Sequence, residues 1–199
     1  TGVQTCALPI SVKERDRYDA VKRLIDFNPT IYGLIFCRTK NETATVAMKL
    51  ARDGYNAEPL HGDLTQAMRD RVMERFRSKE LQILVATDVA ARGLDINNIT
   101  HVINYNLPDD IENYTHRSGR TARAGKTGQS LVLVNTRENV KIKAIERQMR
   151  MTFTQGKIPN PAEICEIQLK KLIDNTIATE VKEADIAPFM DQILDSFKD

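Results

Sequence analysis

The apolar positions change period along the chain, and the changes mark an alternation of helices and strands. In "RDRYDAVKRLIDF" Tyr18, Val21, Leu24 and Ile25 fall at helical spacing, and Pro29 follows where the pattern stops. "YGLIFC" is a short unbroken apolar run, the pattern of a strand covered on both faces. Thr39 with Glu42 predicts a capping box that opens a helix ending at Gly54. A short strand around "NAEPL" leads through the loop "HGD" to a helix from about Thr65 to Arg77, with Met68, Val72 and Phe76 toward the core. "QILVA" and "HVINY" read as strands on either side of a loop, "TDVAARGLDI". A further helix starts at Asp109, with Glu112 in its first turn, and "QSLVLV" is a last strand before a helix through about Met149.

Strands alternating with helices predict an α/β domain with a parallel sheet and right-handed crossovers. Ligands meet such sheets at the loops leaving the carboxyl ends of strands. "CRT", "HGD", "TDVAARGLD" and "NLPDD" all occupy such ends, so the chemistry is sought there. From Pro159 the strand signal disappears, and two amphipathic helices are predicted with an interruption near Pro188. Cys165, Leu169, Leu172, Ile173, Thr176, Ile177 and Val181 form one apolar stripe; Ile186, Phe189, Met190, Ile193, Leu194 and Phe197 form a second. "TQGKIPNP" reads as a spacer before them, loosened by a glycine and two prolines. The stripes imply either packing back on the α/β domain or self-association.

Composition narrows the class without naming it. The 199 residues are 41% hydrophobic and 28% charged with a net charge of +2, so any contact with nucleic acid must come from local clusters. No apolar run approaches a membrane span. Three isolated cysteines without pairing or metal spacing point to a reducing, cytoplasmic setting, with Cys37 read as a buried strand residue. His61, His101 and His116 are too scattered for a metal site. "TGVQTCALPI" lacks the basic start and long apolar core of a signal peptide and looks like a translated sequencing-library adapter, so residues 1–11 are expected to be a non-native leader, with a native disordered leader as the alternative. Residues 12–155 are then the α/β domain and 156–199 a helical extension.

"HRSGRTARAG" sets Arg117, Arg120 and Arg123 three residues apart, which a solvated helix face would explain. It would not explain Gly119, which costs a helix interior about 1 kcal/mol relative to alanine. Taken in order, "LIFCRTK", "HGDLTQAMRDRVMERFR", "ILVATDVAARGLDI" and "VINYNLPDDIENYTHRSGRTARAGKTG" resemble the second RecA-like domain of DEAD-box RNA helicases over roughly Val12 to Met149. His116 with Arg117, and Arg92-Gly93-Leu94-Asp95, favour that branch over related helicases. The tail resembles the start of a helical dimerisation segment of some bacterial DEAD-box proteins, cut short at Asp199.

The resemblance implies a RecA-like parallel sheet with flanking helices and a short helical extension. It implies that ATP lies between two domains, with Arg120 and Arg123 as arginine fingers and His116 and Arg117 bracing the catalytic site. Asp95 would meet the ribose and Gly93 would let backbone approach the nucleotide. Arg38, Thr39, Gly62, Gln66, Arg69 and Thr87 would hold the RNA backbone, while Asp88 and Arg92 suit an internal salt bridge or ligand contact equally. Gly119 would allow close packing on a neighbouring loop, and Gly125 would end the helix beyond the last arginine. His61 is as readily structural. No phosphate loop or Asp-Glu-Ala-Asp sequence is present. The ligands of the Mg2+ that accompanies ATP are therefore expected in a missing first domain, and this half alone is expected to be inactive. The alternative is a non-catalytic RNA-binding or regulatory module; a dinucleotide-binding domain is disfavoured because no G-x-G-x-x-G follows the first strand.

Overall fold

The computed structural model describes residues 6–94, 96, 98–121, 128–150, 152–180 and 186–196. The apolar runs become strands β1 (Cys6–Ser11), β2 (Gly33–Phe36), β3 (Ala57–Leu60), β4 (Ile83–Ala86), β5 (His101–Asn104) and β6 (Gln129–Val134). They form one all-parallel sheet in the order β1-β6-β5-β2-β4-β3. All four residues of β2, β4 and β5 are buried, because helices cover both faces of these inner strands. Helices α1 (Arg17–Asp26) and α2 (Lys40–Arg52) pack on one face, where Val21, Leu24, Val46 and Leu50 meet Ile35, Val85, Ile103 and Leu133. Helices α3 (Gln66–Arg77), α4 (Asp88–Ala91), α5 (Ile111–Ser118) and α6 (Asn139–Met149) cover the other face. The chain builds outward from β2 to β3 and β4, then crosses to β5 on the opposite side. The crevice where the order reverses therefore opens at the carboxyl ends of β2, β4 and β5.

Several elements differ from expectation. β1 lies in the segment expected to be a leader, in register with β6 from Cys6 opposite Gln129 to Ser11 opposite Val134. Edge pairing is made by main chain, so an extended segment joins the sheet with few demands on its side chains beyond the buried Ile10. The stretch read as a spacer is tied to this edge: the Gly156 N–H donates to the Pro9 carbonyl at 3.0 Å, and a Cβ at Gly156 would lie 2.8 Å from the Ile10 side chain. Glycine serves close approach there, not looseness. The loop after β4 contains α4, a single turn whose first amides are met by the Thr87 hydroxyl, which accepts from the Ala90 N–H at 3.3 Å. α5 is capped by Asp110, whose carboxylate accepts from the Asn113 N–H at 2.7 Å, so the helix opens later than expected. On α3, Val72, Met73 and Phe76 are buried and Met68 is 53% exposed. The face is turned because Arg69, on the preceding turn, is drawn to α4.

Arg17, at the start of α1, is buried among carbonyls: it donates to Tyr105 and Leu133 and pairs with Glu138 at 2.8 Å and Glu14 at 3.0 Å. After the α/β domain come α7 (Pro161–Ala178) and, beyond a 3-10 turn at Ala187–Phe189 that contains Pro188, α8 (Met190–Ser196). α7 opens on a complete capping box between Asn160 and Glu163 and lies against α1, with the Gln168 amide donating to the Asp26 carbonyl. Ile164, Ile167 and Lys171 are half-buried, while Leu169, Leu172, Ile173 and Ile177 of the expected stripe are exposed. The helix thus folds back on a different face from the one its stripe suggested. Among the described residues no helix is long and apolar enough to cross a membrane.

Candidate functional site

The crevice is organised around an arginine that has left solvent. Arg117, on the last turn of α5, is 3% exposed. Burying a guanidinium is costly unless its charge and its donors are matched. Asp88 matches the charge bidentately, accepting from Nε and Nη2 at 2.6 Å each. Nη1 donates to the Asn104 side-chain oxygen and to the Asn106 carbonyl, both at 2.9 Å, and the guanidinium lies 5.0 Å from the centre of the Phe36 ring. One side chain thus joins α4, α5 and the ends of β2 and β5. The internal salt bridge of Asp88 is made with Arg117 and not with Arg92, which stays exposed beside a small cleft that His116, Asn113 and Arg120 also line.

α5 ends at Ser118, before the second arginine. Gly119 is its C-cap, and a Cβ there would lie 3.1 Å from the Thr115 carbonyl, so the close approach is to the helix's own last turn and not to a neighbouring loop. Arg120 follows in the turn and reaches across to the loop after α4, donating from Nη1 to the Leu94 carbonyl at 2.7 Å. His116 is exposed on the last turn of α5. Gly93 has φ +73°, a left-handed conformation that favours glycine, and no atom lies within 4 Å of where its Cβ would be. Asp95, Arg123 and Gly125 lie outside the described residues.

The other predicted residues lie at the neighbouring strand ends of β2, β3 and β4. Arg38 is half-exposed, with its side chain near the Leu107 carbonyl at 3.4 Å and Asp109 at 3.6 Å. Thr39 caps α2, accepting from the Glu42 N–H at 3.2 Å. The box is left half-made: the Glu42 carboxylate turns to the Arg38 N–H and to Asn106, each at 3.2 Å. Gly62 stands in an exposed turn with open space around it, and the β2 and β3 loops are joined by Lys40 and Asp63 at 2.9 Å. His61 accepts weakly from the Asp63 N–H at 3.4 Å, which suits a structural part. Gln66 donates to Asp70 at 2.8 Å, while Arg69 donates to the Ala90 carbonyl at 2.6 Å and so ties α3 to α4. α4 is the shared element: Thr87 before it donates its N–H to the Leu60 carbonyl of β3 at 3.3 Å, Asp88 at its start pairs with Arg117, and Gly93 lies in the loop after it, next to the Leu94 carbonyl that takes Arg120.

Sequence reasoning missed Asn104, Asn106 and Glu42 as members of this network. The available signal was an asparagine inside an otherwise apolar strand, "HVINY", which has to find a buried partner. Cys37 is buried as expected, and burial pushes its thiol well above the usual range. His101, at the opposite end of β5, is pushed down to about 4 by burial.

The family described as "Helicase conserved C-terminal domain" matches residues 16–125, which is more than half of the chain. The chain belongs to this family. Residues 164–199 also match the family described as "Probable ATP-dependent RNA helicase, helical domain". The DEAD-box ATP-dependent RNA helicase CshA of Bacillus licheniformis is 40% identical over 181 residues, covering 91% of this chain and 37% of the relative. CshA of Geobacillus kaustophilus is 42% identical over 175 residues, covering 86% of this chain and 37% of the relative. The chain thus spans little more than a third of the length of these relatives. A crystal structure of a DEAD box protein from Methanococcus jannaschii aligns with 43% identity and a TM-score of 0.71, covering 75% of this chain and 41% of that one. Saccharomyces cerevisiae Dbp5 bound to RNA and ADP BeF3 aligns with 29% identity and a TM-score of 0.75, covering 86% of this chain and 46% of that one. The sheet and its flanking helices are the RecA-like C-terminal domain of the DEAD-box helicases, as the sequence motifs implied.

Proposed function

We propose that this domain is the second half of an ATP-dependent RNA helicase, which holds RNA by its backbone and completes an ATPase site on a preceding domain. The carrying observation is the Arg117–Asp88 pair, which ties α4, bordered by the proposed RNA residues, to α5, which leads into Arg120. Arg38, Thr39, Gly62, Gln66, Arg69 and Thr87 meet phosphates and sugars; such contacts position a strand without reading its sequence. Arg120 and Arg123 offer planar, permanently charged donors to a terminal phosphate, and donors held beforehand stabilise charge that grows in the transition state. Arg117 and His116 brace them, and Gly93 and Asp95 border the nucleotide.

The cleft fits a polyphosphate in chemistry, since Arg92, His116 and Arg120 gather at it and Gly93 leaves room for backbone approach. ATP with Mg2+ supplies the phosphoanhydride that is broken. Among the described residues no group of three or more His, Cys, Asp or Glu gathers, and the metal ligands, the phosphate-loop lysine and the carboxylate that orients water are assigned to the first domain. The exposed stripes of α7 and α8 serve self-association, and the whole protein acts in the cytoplasm.

The test is ATP turnover and duplex opening by the full-length protein with and without RNA, beside this chain alone. RNA-stimulated turnover by the full-length protein only is expected. RNA binding without any turnover by the full-length protein would replace this reading with a non-catalytic RNA-binding module.

A further inference from the structure

Glu42 does not do what its position in a capping box predicts. Its carboxylate would ordinarily return to the N–H of Thr39; here one oxygen accepts from the Arg38 N–H and the other from the Asn106 side-chain amide. Asn106 is 7% exposed, and both ends of its amide are engaged. Its side-chain oxygen accepts from the same Arg38 N–H at 2.9 Å, and its NH2 donates to Glu42 at 3.2 Å. Its main-chain carbonyl takes Nη1 of Arg117 at 2.9 Å. An asparagine is suited to this place because it accepts from one neighbour and donates to a carboxylate at once, which no apolar side chain of its size does. The turn carrying Arg38 and Thr39 is therefore held by the residue whose backbone holds Arg117.

We propose that Asn106 and Glu42 are positioning residues, a two-membered link that transmits RNA contact at Arg38–Thr39 to Arg117. From there the path runs through Asp88 to α4 and along α5 to Arg120. The inference rests on the proposed function and deepens it by naming what couples the RNA side to the nucleotide side. The Arg38 N–H to Glu42 bond is exposed, but the Asn106 bonds to the Arg38 N–H and to Glu42 and the Arg117 bonds to the Asn106 carbonyl and to Asp88 are buried or partly buried, so a displacement of the turn is passed to Arg117 with little screening by solvent. A coupling link alters how strongly one ligand affects the other, while each ligand's own binding stays close to unchanged.

The experiment uses the full-length protein with Asn106→Ala, Glu42→Ala and both together. Turnover without RNA, turnover at saturating RNA and RNA affinity without nucleotide are measured for each, along with the melting temperature. The ratio of stimulated to unstimulated turnover should fall about tenfold in Asn106→Ala, within the range of ordinary coupling between sites. RNA affinity without nucleotide should change less than about twofold, and the double variant should be no worse than the poorer single one, as expected of residues acting as a unit. Loss of folded protein leaves that ratio unmoved, so a lowered melting temperature does not imitate the effect. Stimulated and unstimulated turnover falling in proportion would overturn the link, as would a double variant whose loss is the product of the two single losses. If the unsubstituted full-length protein shows no stimulation by RNA, the proposed function itself falls, a result distinct from either.

Discussion

Arg117 and Arg120 are the same residue type three positions apart, and burial separates their work. Arg117 is closed in by Asp88, Asn104 and the Asn106 carbonyl. Its replacement by alanine strands a carboxylate and two acceptors, so Arg117→Ala should cost about 3–5 kcal/mol, the usual loss for half of a buried pair. Chemical denaturation of this chain measures it directly. Arg120 makes its bond to the Leu94 carbonyl beside an open cleft, and Arg120→Ala should cost only about 1 kcal/mol of stability. In the full-length protein the same change should lower RNA-stimulated turnover by a factor on the order of 10³–10⁵, the contribution of arginine fingers elsewhere. Lysine at either position should rescue poorly, since a point charge does not reproduce a planar fork. A change in turnover below tenfold for Arg120→Ala would show that this side chain holds the Leu94 carbonyl and does not act on the phosphate. His101 gives a second residue-level test. Burial pushes it down to about 4, below the ordinary value near 6.5, so the unfolded chain binds more protons between these limits. Its contribution is therefore complete above about pH 6.5 and falls as the pH drops toward 4, with about 2 kcal/mol lost by pH 5. Denaturant midpoints at pH 7 and pH 5 should differ by less in His101→Gln than in the unsubstituted chain; equal differences would remove His101 as the cause.

At the scale of elements, α3 shows how a helix can be legible and its face misjudged. The spacing of Met68, Val72 and Phe76 fits one stripe as well as that of Val72, Met73 and Phe76. The structure chooses the second, because Arg69 takes the first-turn position facing α4 and leaves Met68 outside. Phe76 is fully buried and stacked on Tyr32 at 4.4 Å between ring centres, so Phe76→Ala should cost about 3–5 kcal/mol. Met68→Ala should stay within about 0.5 kcal/mol, as exposed substitutions do. Thermal unfolding of the two variants checks both, and a large loss for Met68→Ala would mean that the helix is turned. The inner strands were readable because each is a continuous apolar run, and α2, α3 and α6 because of their helical period. β1 was not readable, since edge pairing leaves little mark on side chains, and α4 was not, since one turn is too short to display a period. The end of α5 was misplaced because the arginine spacing continues through Gly119 although the helix does not. The strand ends that gather the candidate residues were legible from the alternation alone. The polar network behind them was not, because partners such as Glu42 and Asn106 are 64 residues apart in sequence and meet only through the sheet order.

For the whole molecule, the candidate site gathers at the carboxyl ends of the parallel strands, and the tail begins elsewhere, with α7 against α1. α7 lies against α1, with the Gln168 amide on the Asp26 carbonyl and Ile164 and Ile167 half-buried, and its other side stays uncovered, with Leu172 at 63% and Ile177 at 79% exposure. The 3-10 turn and α8 likewise expose Phe189, Ile193 and Leu194. Apolar area left in water costs roughly 25 cal/mol per Å², and patches of this kind on a soluble protein mark surfaces that meet a partner. Fold-back on α1 already accounts for one face of α7, so it does not compete for the exposed one, and self-association can use the stripe without undocking the helix. The full-length protein should accordingly sediment as a dimer at micromolar concentration. Leu172→Asp combined with Ile177→Asp should shift it to monomer. Because neither side chain is in the core, melting of the α/β domain should be unchanged within about 2 °C, the shift expected for well under 1 kcal/mol. Deleting Pro161 onward should also give monomer, but it would remove the α1 contact as well, so the paired substitution is the sharper comparison. A monomer before and after substitution would end the dimer reading and leave the stripe to a different protein. A dimer that survives both changes would move the interface onto the α/β domain.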